Sequence, residues 1–438
     1  MKESFSTNAL TTLITRILSA VCTIAVSISI ARIFGPAGNG VYSLAVVLSS
    51  VATTCVLFGL TTATVFCVGK NKYPLGQVIA GNVFISLAAG ALGVSGILLA
   101  GIFFGGIFGG MALLNIVLAI AVVPLALGFN LLSHILIGLG NIRAYNRISL
   151  SQSLVLLALV LVLPQFLNLG ISAAILAYAA SFFIADILFV RATAKEAGGI
   201  DWRLNRDYIK DVFSYGLKIY PSHIFSFLST RVNFFLINAF LNPAAVGLYS
   251  IAAALSEGLL IFAKSVSTVL ISRVVSETDP KKLKEFTPLV YRSVMFIIFP
   301  AILAMALIAR PLILLAYSAS FADAVEPLRI LLIGVVAYCG WEILSNDICG
   351  RGRQIIVSYI SAAAFFSGII FNIFFISRWG IIGAAWAADA TYCLMFFCAA
   401  IAYKIISKNS FLEIILPRKS DIGLYRDSAI DLFKKLKP

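Results

Sequence analysis

The chain has 438 residues, 61% of them apolar and 12% charged, with a mean hydropathy of +1.01. A soluble domain carries about 25% charged residues, so this composition excludes a water-soluble fold and requires an integral membrane protein. The 33 Lys and Arg against 19 Asp and Glu give a net charge of +14; with no nucleic-acid recognition motif beside it, that excess reads as basic residues retained on the cytoplasmic side during insertion, and no nucleic-acid partner is expected.

In chain order, charge, Pro and Gly interrupt the apolar sequence at about 35–40, 70–74, 105–110, 139–147, 164–169, 191–217, 241–245, 273–290, 316–324, 350–354 and 377–380. These breaks predict twelve segments near the ~20 residues that cross ~30 Å of hydrocarbon. Hydrocarbon satisfies no backbone hydrogen bonds and no period-2 alternation is present, so the spans are expected to be α-helices and the fold class all-α. The first run is too long for a cleavable signal and contains Arg16, so it is expected to be kept as a span. Alternate loops hold 26 and four of the basic residues, which predicts both termini in the cytoplasm.

The seven cysteines (Cys22, Cys55, Cys67, Cys339, Cys349, Cys393 and Cys398) fall inside apolar runs without CxxC spacing. They read as small hydrophobes, with neither a disulfide framework nor a metal site. There is no GxxxxGK[ST] loop for ATP and no long outer loop for an extracytoplasmic catalytic domain, so no enzymatic step is expected.

An internal repeat organises the chain. PAGNGVYSLA at 36–45 matches PAAVGLYSIA at 243–252 at six of ten positions, an offset of 207. GLGN at 138 against GRGR at 350, and SAAILA at 172 against GAAWAA at 383, repeat at offsets of 212 and 211. The expected organisation is two six-helix halves of like orientation, 1–200 and 201–407, followed by a basic tail at 408–438. Within that tail Ser420 can cap an interfacial helix carrying Ile422, Leu424, Phe433 and Lys434, a partner-binding tail being the alternative.

A charge at mid-bilayer costs roughly 2.5 to 3.5 kcal/mol on insertion scales, so each one needs a partner, a watery cavity or a role. Arg16 shares a helical face with Thr12, Ser19, Thr23 and Ser27, and either lines a cavity or snorkels to the surface. The seventh span carries Arg231 and Asn238 on one face, with Ser222, Ser226, Ser229 and Asn233 roughly opposite, so it packs on both sides or bends. The eighth aligns Ser250, Glu257, Lys264 and Thr268; Glu257 and Lys264 lie about 10.5 Å apart in rise, too far for a direct pair unless both side chains bend. Glu342 and Asp389 are deep acids that could carry a coupling proton or sodium ion, with structural pairing the alternative. Asp186 and Asp347, nearer span ends, are expected to cap or to pair with Arg191 or Arg351, while His134 and His223 receive no role. Glycines 101, 105, 106, 109 and 110 fit an outer gate or close helix packing equally well.

Three strings carry a family resemblance: ARIFGPAGNGVYSLA from 31, FSYGLKIYPSHI from 213 and IARPLILLAYSASFADAVEPLRILLIG from 308. With the twelve spans and the two halves, the chain resembles the Wzx-type polysaccharide-biosynthesis flippases of the multidrug/oligosaccharidyl-lipid/polysaccharide exporter superfamily, which also holds the MATE exporters. The resemblance implies a V-shaped pair of six-helix bundles around a cationic cavity in a bacterial inner membrane. It implies movement of undecaprenyl-diphosphate-linked oligosaccharide to the outer leaflet, and partners drawn from that substrate, membrane lipids and other polysaccharide-assembly proteins. It implies no cofactor beyond a coupling ion, Na+ or H+. Arg16, Arg231 and Lys264 are where this sequence could supply the cationic cavity, and Glu257, Glu342 and Asp389 the coupling or ion-pairing acids. The relatives that flip peptidoglycan precursor have helices beyond the twelfth that this sequence lacks, and LAYSAS stands where the family has a typical glycine. A MATE-like exporter of cationic drugs is the competing transporter, and a membrane sugar polymerase is the reading from another class.

Overall fold

The computed structural model describes residues 5–103, 108–217, 220–276, 279–409 and 413. Among them every regular element is helical: α1 (Phe5–Leu57), α2 (Leu60–Gly69), α3 (Leu75–Phe103), α4 (Leu113–Gly138), α5 (Ile142–Phe166), α6 (Ile171–Ala197), α7 (Arg206–Gly216), α8 (Tyr220–Phe240), α9 (Pro243–Ser276), α10 (Pro280–Ala316), α11 (Val325–Gly350) and α12 (Gln354–Ser407), with a 3-10 turn at Ala319–Ala324. Nine of these described helices are long and apolar enough to cross a membrane. Gly105, Gly106 and the expected tail helix at 418–438 lie outside the described residues.

At 1.5 Å per residue, α1 (53 residues) and α12 (54 residues) are each too long for one crossing. Each is broken once, at a glycine whose backbone no helix contains: Gly35 (φ 64°, ψ −172°) and Gly380 (φ 58°, ψ −133°). Positive φ is open to glycine without a Cβ penalty, and Pro36 then starts the second arm of α1 where a missing N–H costs nothing. The expected breaks at 35–40 and 377–380 are therefore sharp kinks and not loops.

Two other breaks are tighter than the charge pattern implies. The expected break at 139–147 narrows to a turn at 139–141, because the Asn141 side chain accepts from the Ala144 N–H at 3.1 Å and caps α5 at once. In 191–217, α6 runs on to Ala197 and α7 forms beyond it, capped by the Asn205 side chain accepting from Tyr208 N–H. Its cations concealed a short amphipathic helix whose Tyr208 and Val212, one turn apart, are fully buried.

The duplicated strings adopt duplicated local structure. Leu139, Gly140 and Asn141 close the end of α4 by donating to Ile135, Ile137 and Leu136; Arg351, Gly352 and Arg353 close α11 by donating to Asp347, Cys349 and Ile348. Gly140 and Gly352 have φ of 74° and 76°, and Gly170, before α6, matches Gly380 at φ 56°, ψ −135°. A Cβ on Gly138 would meet the Val68 Cβ at 2.8 Å, and one on Gly350 would meet the Val274 Cβ at 3.0 Å.

The chain divides into two compact units, Met1–Ile251 with Ile313–Asp323, and Ala252–Leu312 with Ala324–Pro438. In the first, α4 is an interior helix: Ala119, Val123, Leu127, Leu131 and Ile135 recur at i, i+4 and are all fully buried. Leu92, Leu98 and Ile102 of α3 remain exposed, as expected of a face toward lipid. In the second unit α11 is the interior helix, with Leu328, Leu332, Val335, Cys339 and Leu344 buried.

Candidate functional site

In the first unit the polar face of α1 is only partly committed to packing. Thr12 accepts from the Asn146 side-chain amide at 3.0 Å and Ser27 shares a hydrogen bond with the Tyr317 hydroxyl, while Thr23 donates to the Ser19 carbonyl one turn back on the same helix. Arg16 is exposed on that face. Farther along, Arg32 donates to the carbonyls of Leu315 and Ala316, satisfying acceptors that the end of α10 leaves open.

Arg231 is half-buried in α8. Its guanidinium carbon lies 5.7 Å from the Phe227 ring centroid and 5.9 Å from that of Phe234, a cation–π setting built by i−4 and i+3 spacing on one helix. Each polar face of α8 has buried members among the described residues. Asn233 donates to the Tyr249 hydroxyl at 2.8 Å, Asn238 donates to the Gly109 carbonyl at 3.0 Å, and Ser229 is buried, which accounts for polar residues on opposite sides of one helix.

The two copies of the repeated decapeptide touch. A Cβ on Gly40 would come within 3.0 Å of the Gly247 nitrogen, and one on Gly247 within 2.9 Å of the Gly40 nitrogen. Beside this crossing Asn39 donates to both the Gly247 carbonyl and the Ser250 hydroxyl at 3.0 Å. Only glycine at both positions lets the two backbones approach so closely.

A second contact in this unit holds α7. Asp211 accepts from Lys72 and from the Tyr73 hydroxyl, Gln77 donates to Asp201 at 2.9 Å, and Phe66 stacks on Tyr215. The Lys72 hydrogen bond, followed by that of Tyr73, holds the Asp211 carboxyl below its ordinary range, and the same bond to Asp211 raises Lys72. Gln77 and then the Arg203 N–H lower Asp201 in the same way. No single residue in the sequence signals this clasp, since its partners are over a hundred positions apart.

In the second unit Lys264 is exposed on α9, with its Nζ 5.8 Å from the Tyr338 ring centroid and within electrostatic reach of Glu342. Glu257 is half-buried on the same helix. Glu342 accepts from the Asn346 side chain at 3.2 Å. Asp347 behaves as expected of a span-end acid: it is fully buried, accepts from Thr287 at 2.6 Å and takes Arg351 on both oxygens at 2.5 and 3.3 Å. Asp186 does not follow; it packs against Gly128, and its Oδ1 has no hydrogen-bond partner among the described residues.

Asp389 is the most buried of the candidate acids, 4% exposed, and the Gly334 backbone is a hydrogen-bonding neighbour of its carboxylate. It lies against Gly334, where a Cβ would come 2.7 Å from its Cγ. A cavity of about 390 Å3 beside it is walled by Phe375, Trp379 and Trp386. Trp386 and Asp389 are i, i+3 on α12 and share a helical face, while Phe375 and Trp379 come from the arm before the Gly380 kink. Among the described residues no group of His, Cys, Asp and Glu is arranged to hold a metal ion.

Similar architectures are known. The chain superposes on lipid II flippase MurJ in an inward closed conformation with a TM-score of 0.73 at 17% identity, covering 97% of this chain and 91% of that one. It superposes on an inward-facing multidrug resistance MATE family transporter of the MOP superfamily at 0.70 and 17% identity, covering 92% and 99%. A MOP superfamily transporter from Pyrococcus furiosus, described as having a binding pocket of reversed polarity, matches at 0.64 and 16% identity over 91% and 94%. At these identities the likeness concerns the fold alone. An uncharacterized membrane protein of Methanocaldococcus jannaschii is 27% identical over 168 residues, which is 37% of this chain and 38% of that protein's length. The sequence pattern of the family described as polysaccharide biosynthesis protein matches residues 29–326, a stretch that includes the repeated decapeptides, Arg231 and Lys264, and by this match the chain belongs to the polysaccharide biosynthesis protein family.

Proposed function

We propose that this protein is a flippase that moves undecaprenyl-diphosphate-linked oligosaccharide repeat units from the cytoplasmic to the outer leaflet of a bacterial inner membrane, for assembly of a surface polysaccharide such as O-antigen or capsule. The reading includes twelve spans in two parallel six-helix halves, 1–200 and 201–407, with both termini in the cytoplasm, working by alternating access without a covalent step. The matching turns at Gly140 and Gly352 and at Gly170 and Gly380 support the duplication.

The observation that carries the reading is Arg231, a cation half-buried in an apolar helix of a polysaccharide-biosynthesis protein. A diphosphate recruits guanidinium groups through paired N–H donors, and the aromatic rings beside Arg231 limit competing water. Arg16 and Lys264 are the other cations assigned to the diphosphate, and Glu257, Glu342 and Asp389 are the acids open to a coupling ion.

One observation favours a second reading, a MATE-like exporter of organic cations: the carboxyl of Asp389 beside a cavity walled by Phe375, Trp379 and Trp386. The two separate in vesicles. A flippase moves a fluorescent lipid-linked oligosaccharide between leaflets and leaves a cationic dye alone. Dye efflux without lipid movement would replace the first reading with the second.

A further inference from the structure

The first unit contains a cavity of about 310 Å3 framed by the second arm of α1 (Leu48 to Val56), by α3 and by α8. Its lining is apolar, including Leu48, Leu92, Phe108 and Phe235, with the Cys55 thiol as the only heteroatom-bearing side chain among the described residues that line it. Two features keep it open. Gly96 lines it, and a Cβ there would meet nothing within 4 Å. The α8 end is fixed elsewhere, since the Tyr220 hydroxyl donates to the carbonyls of Thr54 and Cys55, at 3.1 and 2.5 Å, and so ties α8 to α1 at the Cys55 level. The α1 wall rises about 12 Å over its eight steps from Leu48 to Val56. Leu92, 62% exposed, stands at its edge and gives it a mouth on the face of α3 expected to meet lipid.

The charge beside this cavity identifies what fits it. Phe235 is four residues after Arg231 on α8, one turn and about 6 Å of rise along the same face, so Arg231 stands one helical turn from a residue that lines the slot. A cation near an apolar slot that opens at Leu92 matches a molecule that has a phosphate at the end of a lipid chain. We infer that this cavity is the seat of the first isoprene units of a polyprenyl phosphate or diphosphate, with Arg231 taking the phosphate. This rests on the flippase reading and adds to it a location for the lipid tail: inside the first unit, between α1, α3 and α8.

The test uses the full-length protein in nanodiscs with two photoreactive probes, a polyprenyl monophosphate carrying a diazirine in its first isoprene units and a phosphatidylglycerol carrying one in an acyl chain. The polyprenyl probe should label Cys55, Leu92 or Phe108. Labelling should fall about tenfold in Gly96→Phe, which fills the slot, and in Arg231→Ala, and should persist in Gly258→Phe, where a spanning helix gains the same ring in open space. Leu92→Trp is a second plug at the mouth, for use if Gly96→Phe does not fold. Labelling unchanged by both plugs, or equal labelling by phosphatidylglycerol, would overturn the inference, the latter by showing an ordinary bilayer chain. Wild-type protein that flips lipid-linked oligosaccharide but is not labelled in the slot would overturn the tail site and leave the flippase reading standing. Wild-type protein that neither flips nor labels would end both.

Discussion

Gly40 and Gly247, the equivalent glycines of two decapeptides 207 residues apart, lie across each other so closely that a Cβ on either would fall into the backbone of the other's segment. The duplication therefore has a physical use: each copy supplies the bare backbone against which the other packs, and Asn39 closes the contact on Gly247 and Ser250. Two prolines, Pro36 and Pro243, start the crossing segments and supply the carbonyls nearest the opposing glycines.

Because neither backbone can give way, Gly247→Val should lower stability by about 1 to 3 kcal/mol, the range for overpacking a tight interior. Gly258→Ala, in open space on α9, should be neutral or stabilising through helix propensity of up to ~1 kcal/mol. Thermal unfolding of the purified protein in detergent distinguishes them. Equal midpoints would mean that the crossing tolerates side chains.

Asp347 should behave as a structural acid. It is fully buried with Thr287 and Arg351 on its oxygens, so Asp347→Asn removes the charge that Arg351 faces and should cost about 3 kcal/mol, the low end for breaking a buried pair because the Arg351 side chain keeps 16% exposure. Loss of stability without any change in the transport rate of the folded fraction is the expected pattern. An unchanged unfolding midpoint would argue that the pair does not hold α11.

The α7 clasp should be sensitive to pH in a defined direction. Asp211 is held below its ordinary 3.8, so its contribution is complete above that value and is lost as pH falls through its lower folded value. Lys72 is raised above its ordinary 10.5, so its contribution is lost only as pH rises past that limit. Amide exchange in α7, corrected for intrinsic rates, should therefore be flat between these limits and accelerate in acid. Asp211→Asn should reduce the acid step to the part carried by Asp201 and leave exchange faster throughout, with high salt producing a weaker version of the same change in the wild type.

The all-helical class was readable from the apolar runs, and most helix ends because they are written in Gly, Pro or charge; the repeated strings stand at offsets near 210, and the break between Leu57 and Leu60 was not expected. What escaped the sequence has physical causes. Charge marked 191–217 as loop, whereas two apolar residues one turn apart, Tyr208 and Val212, suffice to dock a helix there. Arg16, Arg231 and Lys264 were visible as charges in apolar runs, but the rings that frame Arg231 and the Tyr338 ring near Lys264 depend on helix direction and on chain segments distant in sequence. The expected pairing of Asp186 with Arg191 was not found, because a glycine on α4 offers that carboxylate a notch to pack in.

The central claim is that a half-buried cation receives the substrate's diphosphate, and it is tested most directly by measuring lipid-linked oligosaccharide flipping in vesicles with Arg231→Ala and Arg231→Lys. The potential is clamped first at zero and then inside-negative. The account predicts that Arg231→Ala abolishes flipping in folded protein and that Arg231→Lys retains part of it, since a point charge remains without the bidentate fork. It also predicts faster wild-type flipping under inside-negative potential, because moving two negative charges outward gains about 4.6 kcal/mol per 100 mV. Wild-type rates in Arg231→Ala would contradict the account. A wild-type rate indifferent to potential would shift the driving force to a coupling ion, with Glu257, Glu342 and Asp389 next to be replaced.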